Sequence, residues 1–188
     1  MRSLYIFDVD ETLFKTTATI KVIEQGWVIK SLSNSDFNDF NLEATQSYDF
    51  SEFRDSRLFY NDSIPIPRVI EHIKILNKYK NLEDRIIILT AREDMDDKYL
   101  YLEKFREAGI SIDSMHIYRS GNLRCVGSVA FKKCLMIKKQ LEQSVFDVVQ
   151  FYDDSLNNLR AFLDLKYEYP NISFEAFLVQ ENGSVQQY

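Results

Sequence analysis

Short apolar runs recur along this chain, and each is followed by a stretch with helical spacing of its apolar residues. The runs contain few alternating polar residues, which is typical of strands that are covered on both faces. They are Leu4–Phe7, Arg85–Leu89, Met115–Tyr118, Val148–Tyr152 and, near the end, Ser173–Val179. We interpret them as the strands of a mostly parallel sheet.

The segments between these runs carry apolar residues at the three- and four-residue spacing of amphipathic helices. Pro67 is suited to the first turn of one helix, and Gly109 to the end of another. The predicted helices cover about 67–79, 95 to the stop at Gly109, 128–143 and 156–163. Strands that alternate with helices predict an α/β fold with a Rossmann-like sheet and helices on both faces.

Residues 16–65 interrupt this alternation directly after the first strand. The segment Thr19–Lys30 is typical of a hairpin that turns at Gln25 and Gly26. The following residues, 34–61, predict irregular structure with short helical turns. We therefore expect one domain over 1–188, with 16–65 as a small cap or flap. Such a long interruption is either a functional lid or binding loop, or a structural flap over the sheet.

Composition narrows the classes of function. The 188 residues are 45% hydrophobic and carry a net charge of −6, so the chain has ample core and no overall basic field for nucleic acid or anionic membranes. Neither a charged-then-apolar leader nor a long apolar run occurs. We expect a cytoplasmic protein with no membrane association and no stable protein partner implied, in which Cys125 and Cys134 are reduced thiols.

Acidic residues follow the first strand at a spacing that suggests chemistry. Asp8 and Asp10 lie two residues apart at a strand end, so their side chains point to one face, and Thr12 follows. A close pair of carboxylates is costly unless a cation or a shared proton relieves it. The same pattern also occurs in ordinary strand-end turns, so further residues are needed to choose between these readings.

The ends of the later strands supply such residues. Thr90-Ala91-Arg92 follows the second strand, Asp153-Asp154 follows the fourth, and Lys132-Lys133 lies in the first turn of the preceding helix. Ligands of open α/β sheets bind beyond the carboxyl ends of the strands, where these groups converge. An aspartate there is a candidate nucleophile, and a second one is a candidate acid and base. Mg²⁺ prefers oxygen ligands of this kind.

In this order, the four motifs resemble those of the haloacid dehalogenase-like (HAD) phosphohydrolase superfamily. The resemblance spans the chain from Tyr5 to about Leu163. It implies a Mg²⁺-dependent phosphatase with an aspartyl-phosphate intermediate and a phosphorylated substrate as its partner. The implied residues are Asp8 as nucleophile, Asp10 as acid and base, Thr90 and a lysine on the phosphoryl oxygens, and a metal site at Asp8, Asp153 and the Asp10 turn. Thr12, Arg92 and Asp154 are further candidates, either for substrate phosphate or for support of these groups.

Two details within this resemblance stay open. Phe131-Lys132 is similar to the aromatic-lysine pair of the superfamily, so Lys132 is favoured over Lys133 as the phosphate-binding lysine. Glu11 stands where a glycine is usual.

The substrate is also open. The short insert is similar to small-cap members with open sites, and the layout loosely resembles the 3′-phosphatase domain of phage-type polynucleotide kinases. A nucleotide or nucleic-acid-end phosphate is the favoured substrate, and Trp27 at the hairpin tip either stacks on a base or packs on the domain. Phosphoproteins and small metabolites are alternatives. The non-enzymatic alternatives are a receiver-like phosphoacceptor and a degenerate binding protein.

Overall fold

The centre of the molecule is a mostly parallel sheet. We describe a computed structural model that covers residues 1–188, apart from the side chains of Ser35, Asn38 and Asp39. Its strands are β1 (Ser3–Phe7), β2 (Phe14–Lys15), β3 (Ile20–Glu24), β4 (Trp27–Leu32), β5 (Gln46–Asp49), β6 (Ile64–Pro65), β7 (Arg85–Thr90), β8 (His116–Arg119), β9 (Val148–Asp153), β10 (Ser173–Val179) and β11 (Val185–Gln187). Within the described chain, the main sheet has the order β11-β10-β9-β1-β7-β8, and only β11 is antiparallel to its neighbour.

Helices cover both faces of this sheet. They are α1 (Asn34–Asp39), α2 (Ser56–Asp62), α3 (Pro67–Tyr79), α4 (Lys98–Glu107), α5 (Val129–Gln143) and α6 (Leu156–Asp164). Alternate residues of β7 point to opposite faces: Ile86 and Ile88 pack with α3 and α4, whereas Ile87 and Leu89 pack with α5 and α6. The predicted α/β fold with a mostly parallel, two-sided sheet is confirmed.

Local sequence signals explain most helix boundaries. Pro67 is the first residue of α3, and the Ser128 side chain accepts a hydrogen bond from the Phe131 N–H at the start of α5. The helix predicted from residue 95 begins instead at Lys98, because Asp97 caps it by accepting from the Leu100 N–H. Among the described residues, no helix combines the length and apolarity needed to cross a bilayer.

The segment between β1 and α3 contains more regular structure than the sequence predicted. β3 and β4 form the expected hairpin, with Gln25 at φ +49° and Gly26 at φ +83° in the turn. β5, which was not predicted, pairs antiparallel with the other edge of β3, and α1 and α2 lie in the part where short helical turns were predicted. Trp27 at the hairpin tip is 77% exposed, so it does not pack on the domain beneath.

A short ribbon closes the base of this insert. β2 and β6 pair antiparallel, with Phe14 opposite Pro65 and Lys15 opposite Ile64. Above it, the insert has a small core of its own, formed by Ala18, Ile20, Val22, Leu32 and Phe53.

Candidate functional site

The strand register brings three of the predicted site residues to one edge of the sheet. β1 lies between β9 and β7, with Phe7 opposite both Tyr152 and Ile88. Asp8 therefore follows the central strand, while Asp153 and Thr90 are the last residues of its two neighbours. The Asp8 N–H donates to the Tyr152 carbonyl at 3.0 Å, which extends the ladder by one residue and fixes the position of Asp8.

A buried lysine joins two of the carboxylates. Lys133 Nζ lies 2.7 Å from Asp8 Oδ1 and 2.8 Å from Asp153 Oδ2, and the Lys133 side chain is only 2% exposed. The sequence analysis favoured Lys132, and this choice is corrected, because Lys132 is only half-buried. Lys133 shares the buried stripe of α5 with Ala130 and Ile137, which are three and four residues away on the helix. That stripe faces the sheet and directs Lys133 to the strand ends.

Asp153 is held by further hydrogen bonds. Its Oδ1 accepts from the Ser155 N–H at 2.8 Å, and Asn158 Nδ2 donates to Oδ1 and Oδ2 at 2.9 and 3.1 Å. Sequence reasoning missed Asn158. The available signal was its position in the stripe of α6 that includes buried Phe162, where an amide needs a hydrogen-bonding partner.

The carboxylates form a cluster that fits a divalent cation. Carboxylate oxygens of Asp8, Asp153 and Asp154 lie within 4.8 Å of one another. Burial raises the pKa of Asp8 to about 7, although Lys133 opposes this, and burial together with Asp153 and Asp8 raises the pKa of Asp154 to about 9. Lys133 supplies one positive charge against three carboxylates, so a further cation would favour their ionised forms. Hard oxygen donors in this number suit Mg²⁺.

The Asp10 carboxylate is bound to an arginine outside this cluster. Arg92 Nε donates to Asp10 Oδ2 at 3.0 Å, and Nη2 donates to Oδ1 at 2.7 Å. The carboxylate group that could hold a metal consists of Asp8, Asp153 and Asp154, so the expected part of Asp10 in metal binding stays a prediction. The Arg92 side chain is 1% exposed, so the structure places it as a partner of Asp10 and leaves little of it open to a substrate.

Thr90, the last residue of β7, lies in a tightly packed environment. It is fully buried, and its Oγ1 accepts from the Arg92 N–H at 3.1 Å, while Ser120 Oγ donates to its carbonyl at 3.1 Å. Gly121 passes so close to the backbone of Ala91 and Arg92 that a Cβ would overlap the Ala91 carbonyl oxygen. Because the Thr90 hydroxyl acts as an acceptor in this bond, its O–H can still donate to another group.

Thr12 and Glu11 belong to the turn that follows the aspartates. Thr12 is fully buried, and within the described structure its Oγ1 has no hydrogen-bond partner, so it is not a surface contact for substrate. Glu11 has φ +56°, which explains why a glycine is suited to this position. Its carboxylate accepts from the Thr16 N–H at 3.0 Å and so connects the turn to the start of the insert.

Two arginines, at the end of β8 and in the loop that follows it, lie near acidic residues. Arg119 Nε is 3.8 Å from Asp94 Oδ1, and Arg124 Nη1 is 3.9 Å from Glu93 Oε1. Neither of the two histidines belongs to this group of residues. His72 Nε2 lies 2.9 Å from Tyr152 Oη, and His116 is exposed.

Comparison with known proteins supports the architecture. The structure is similar to the HAD domain of the effector protein Lem4 from Legionella pneumophila, with a TM-score of 0.54 and 11% identity over 94% of this chain and 85% of that chain. No protein-family model and no curated protein matches the sequence. The likeness concerns the fold, so the small-cap type and the likeness to polynucleotide kinases stay predictions. With its parallel sheet and the sequence order of its strand-end residues, the chain has a HAD-like fold.

Proposed function

We propose that this protein is a Mg²⁺-dependent phosphomonoesterase that acts through an aspartyl-phosphate. The observation that carries the proposal is the environment of Asp8. Its carboxylate lies at the end of the central strand, against the Lys133 ammonium and within the cluster formed with Asp153 and Asp154, and a second carboxylate follows two residues later. HAD-like folds with this order of residues are typical of phosphatases, which supports the general class of reaction.

In the proposed first step, an Asp8 oxygen attacks phosphorus and the bond to the leaving oxygen breaks. Asp10 donates its proton to that oxygen, so the substrate leaves as a neutral alcohol. In the second step, Asp10 takes a proton from a water molecule, whose oxygen attacks phosphorus and releases inorganic phosphate from Asp8. Lys133 and the Thr90 hydroxyl would bind the phosphoryl oxygens and stabilise their charge.

Asp8, Asp153 and Asp154 would hold the Mg²⁺. The bound cation supplies positive charge that offsets the carboxylates and the charge developing on the phosphoryl group. Asp8 must be ionised to act as a nucleophile, and its pKa of about 7 makes the neighbouring Lys133 important for that state. Asn158 and the Ser155 N–H orient Asp153 for its part in this site.

For the substrate we propose a nucleotide or a nucleic-acid-end phosphate. Trp27, Val28 and Ile29 form an exposed apolar tip on the insert, which suits stacking on a base. Phosphoproteins and small phosphorylated metabolites are the alternative classes. Both cysteines are free thiols, which agrees with the cytoplasmic location that we propose.

The test of the reaction is hydrolysis of p-nitrophenyl phosphate with and without Mg²⁺. We expect Asp8→Asn to abolish turnover and Asp10→Asn to reduce it by about 10²-fold or more, which is the usual contribution of general acid–base catalysis. Asp62→Asn, at an exposed carboxylate, is the matched control. Acid quenching should trap a hydroxylamine-sensitive phosphoenzyme in the wild type and in the variants that keep Asp8, and none in Asp8→Asn. Unchanged hydrolysis by Asp8→Asn would contradict the mechanism.

A second assay separates the substrate classes. The wild type is compared on 5′- and 3′-nucleotides, oligonucleotides with terminal phosphates, phosphopeptides and sugar phosphates. A higher kcat/KM on the first two groups, together with a rise in KM for Trp27→Ala, supports the nucleotide proposal. A phosphorylated Asp8 that accumulates without turnover would indicate a receiver-like phosphoacceptor, and binding without phosphorylation a degenerate binding protein.

A further inference from the structure

Arg92 is enclosed by two different parts of the chain. Its guanidinium lies against the rings of Phe53 and Phe59, with its central carbon 4.9 and 4.8 Å from the two ring centres. Nη1 donates to the Phe53 carbonyl at 2.9 Å, while Nε and Nη2 donate to Asp10. The same side chain therefore touches the insert, which contributes Phe53, and the carboxylate proposed as the acid and base.

This arrangement leaves Asp10 little freedom to rotate. Two parallel N–H···O bonds from a planar guanidinium fix both the position and the plane of a carboxylate. The guanidinium is fixed in turn by the Phe53 carbonyl and by its contacts with the two phenylalanine rings. At 1% exposure, Arg92 has almost no surface with which to meet a substrate phosphate.

Resting on the phosphatase proposed above, we infer that Arg92 is a positioning residue for Asp10, and that Phe53 makes this positioning depend on how the insert is seated. Asp10 must point at the leaving oxygen when the P–O bond breaks and its proton moves. When the insert shifts at Phe53, Arg92 loses a hydrogen bond and one aromatic contact, and Asp10 loses its fixed orientation. The insert thus acts on the proton-transfer step without contacting the reacting atoms.

The inference predicts a dependence on the leaving group. p-Nitrophenolate is a weak base that departs with little help from an acid, whereas an alkoxide needs its proton during bond breaking. We expect Arg92→Met to slow first-turnover release of an alkyl alcohol by at least about tenfold, within the range of general acid catalysis, and to affect p-nitrophenol release much less. Arg92→Lys keeps the charge but not the two parallel bonds, so it should restore part of the loss.

A double-mutant comparison separates positioning from substrate binding. In an Asp10→Asn background, Arg92→Met should cause no further loss, because there is no acid left to position. The inference would be overturned if Arg92→Met slowed the first turnover equally on both substrates, did so also in the Asp10→Asn background, and raised KM. That result would mean that Arg92 binds the phosphoryl group. Unchanged first-turnover rates on both substrates in folded Arg92→Met would also overturn it.

Phe53→Leu tests the part played by the insert and serves where the Arg92 variants do not fold. It removes the Phe53 ring that contacts the guanidinium and keeps the backbone carbonyl that accepts from Nη1. We therefore expect a smaller loss of first-turnover rate than in Arg92→Met, again larger for the alkyl substrate than for p-nitrophenyl phosphate. Phe50→Leu is the control, since Phe50 packs on Phe37 and Tyr48 within the insert. Equal behaviour of the two variants would refute the coupling. A wild type that hydrolyses neither substrate would instead refute the proposed phosphatase function.

Discussion

Lys133→Met is the most informative single substitution in the site. It removes the ammonium that lies 2.7 and 2.8 Å from Asp8 and Asp153 and keeps a side chain of similar length. Removing one partner of a buried ion pair costs about 3–5 kcal/mol, because the remaining charge is left uncompensated. Here two carboxylates lose their shared partner, so we expect a cost in this range at pH 8.

The cost should increase with pH. The pKa of Asp8 is about 7 although Lys133 lowers it, so without the lysine this pKa rises further. The folded variant then keeps a proton that the unfolded chain releases near pH 4, and stability falls with rising pH wherever the folded state binds more protons. Above pH 7 wild-type Asp8 has released this proton, so the gap between the two proteins should widen by up to about 1.4 kcal/mol per pH unit.

Urea unfolding without metal, at pH 6 and at pH 8, measures both effects. Lys132→Met is the matched control, because Lys132 is only half-buried and its loss should change the free energy of unfolding by less than about 0.5 kcal/mol. A cost below about 1 kcal/mol for Lys133→Met at pH 8 would refute the reasoning, since that is the effect of an ordinary substitution. So would equal costs for the two lysines.

Three further outcomes are expected. Gly121→Ala should lower both the urea midpoint and hydrolysis, because its Cβ overlaps the Ala91 carbonyl and the loop after β7 must move; unchanged values in both assays would contradict this. Asp154→Asn should raise the melting temperature at pH 8 without metal, by about 2–4 °C per kcal/mol, and weaken stabilisation by Mg²⁺. The reason is that the folded protein holds a proton on Asp154, whose pKa is raised to about 9, while the unfolded chain releases it near pH 4, so this carboxyl lowers stability as the pH rises above about 4. A lower melting temperature for Asp154→Asn would argue against this. Burial raises the pKa of Cys134 to about 11, so at pH 8 an aromatic disulfide should react first at half-buried Cys125, and Cys125→Ser should remove the fast phase.

The sequence predicted the main sheet well because its strands are apolar on both faces. The strands around Asp8, Thr90 and Asp153 were expected within a residue of their observed ends, and their common edge followed from parallel pairing. β5 and β11 were missed. The sequence of β5, Gln46–Asp49, is polar and has no apolar alternation, so it is strand only because β3 offers an edge to pair with. β11 has three exposed residues, too few to show a period.

Within the site, residues that lie at the ends of strands were easier to predict than residues whose position depends on tertiary packing. The choice between Lys132 and Lys133 depended on which helical face meets the sheet, and similarity to a motif gave the wrong one. Arg92 was identified as a candidate, but its partners could not be. Asp10 is 82 residues away in the chain, and the contact with Phe53 exists only when the insert is folded onto the sheet.

The paired β2 and β6 give the insert the properties of an exchangeable module. Its two ends lie side by side, so residues 16–63 leave and return to the main domain at nearly one point. The entropy of closing such a loop grows slowly with its length. Evolution or an engineer can therefore lengthen, replace or shorten the part of this segment that precedes α2 without changing the register of the sheet, whereas Phe59 of α2 packs in the main core. Whatever takes its place must still present an acceptor and an apolar face to Arg92, as Phe53 does.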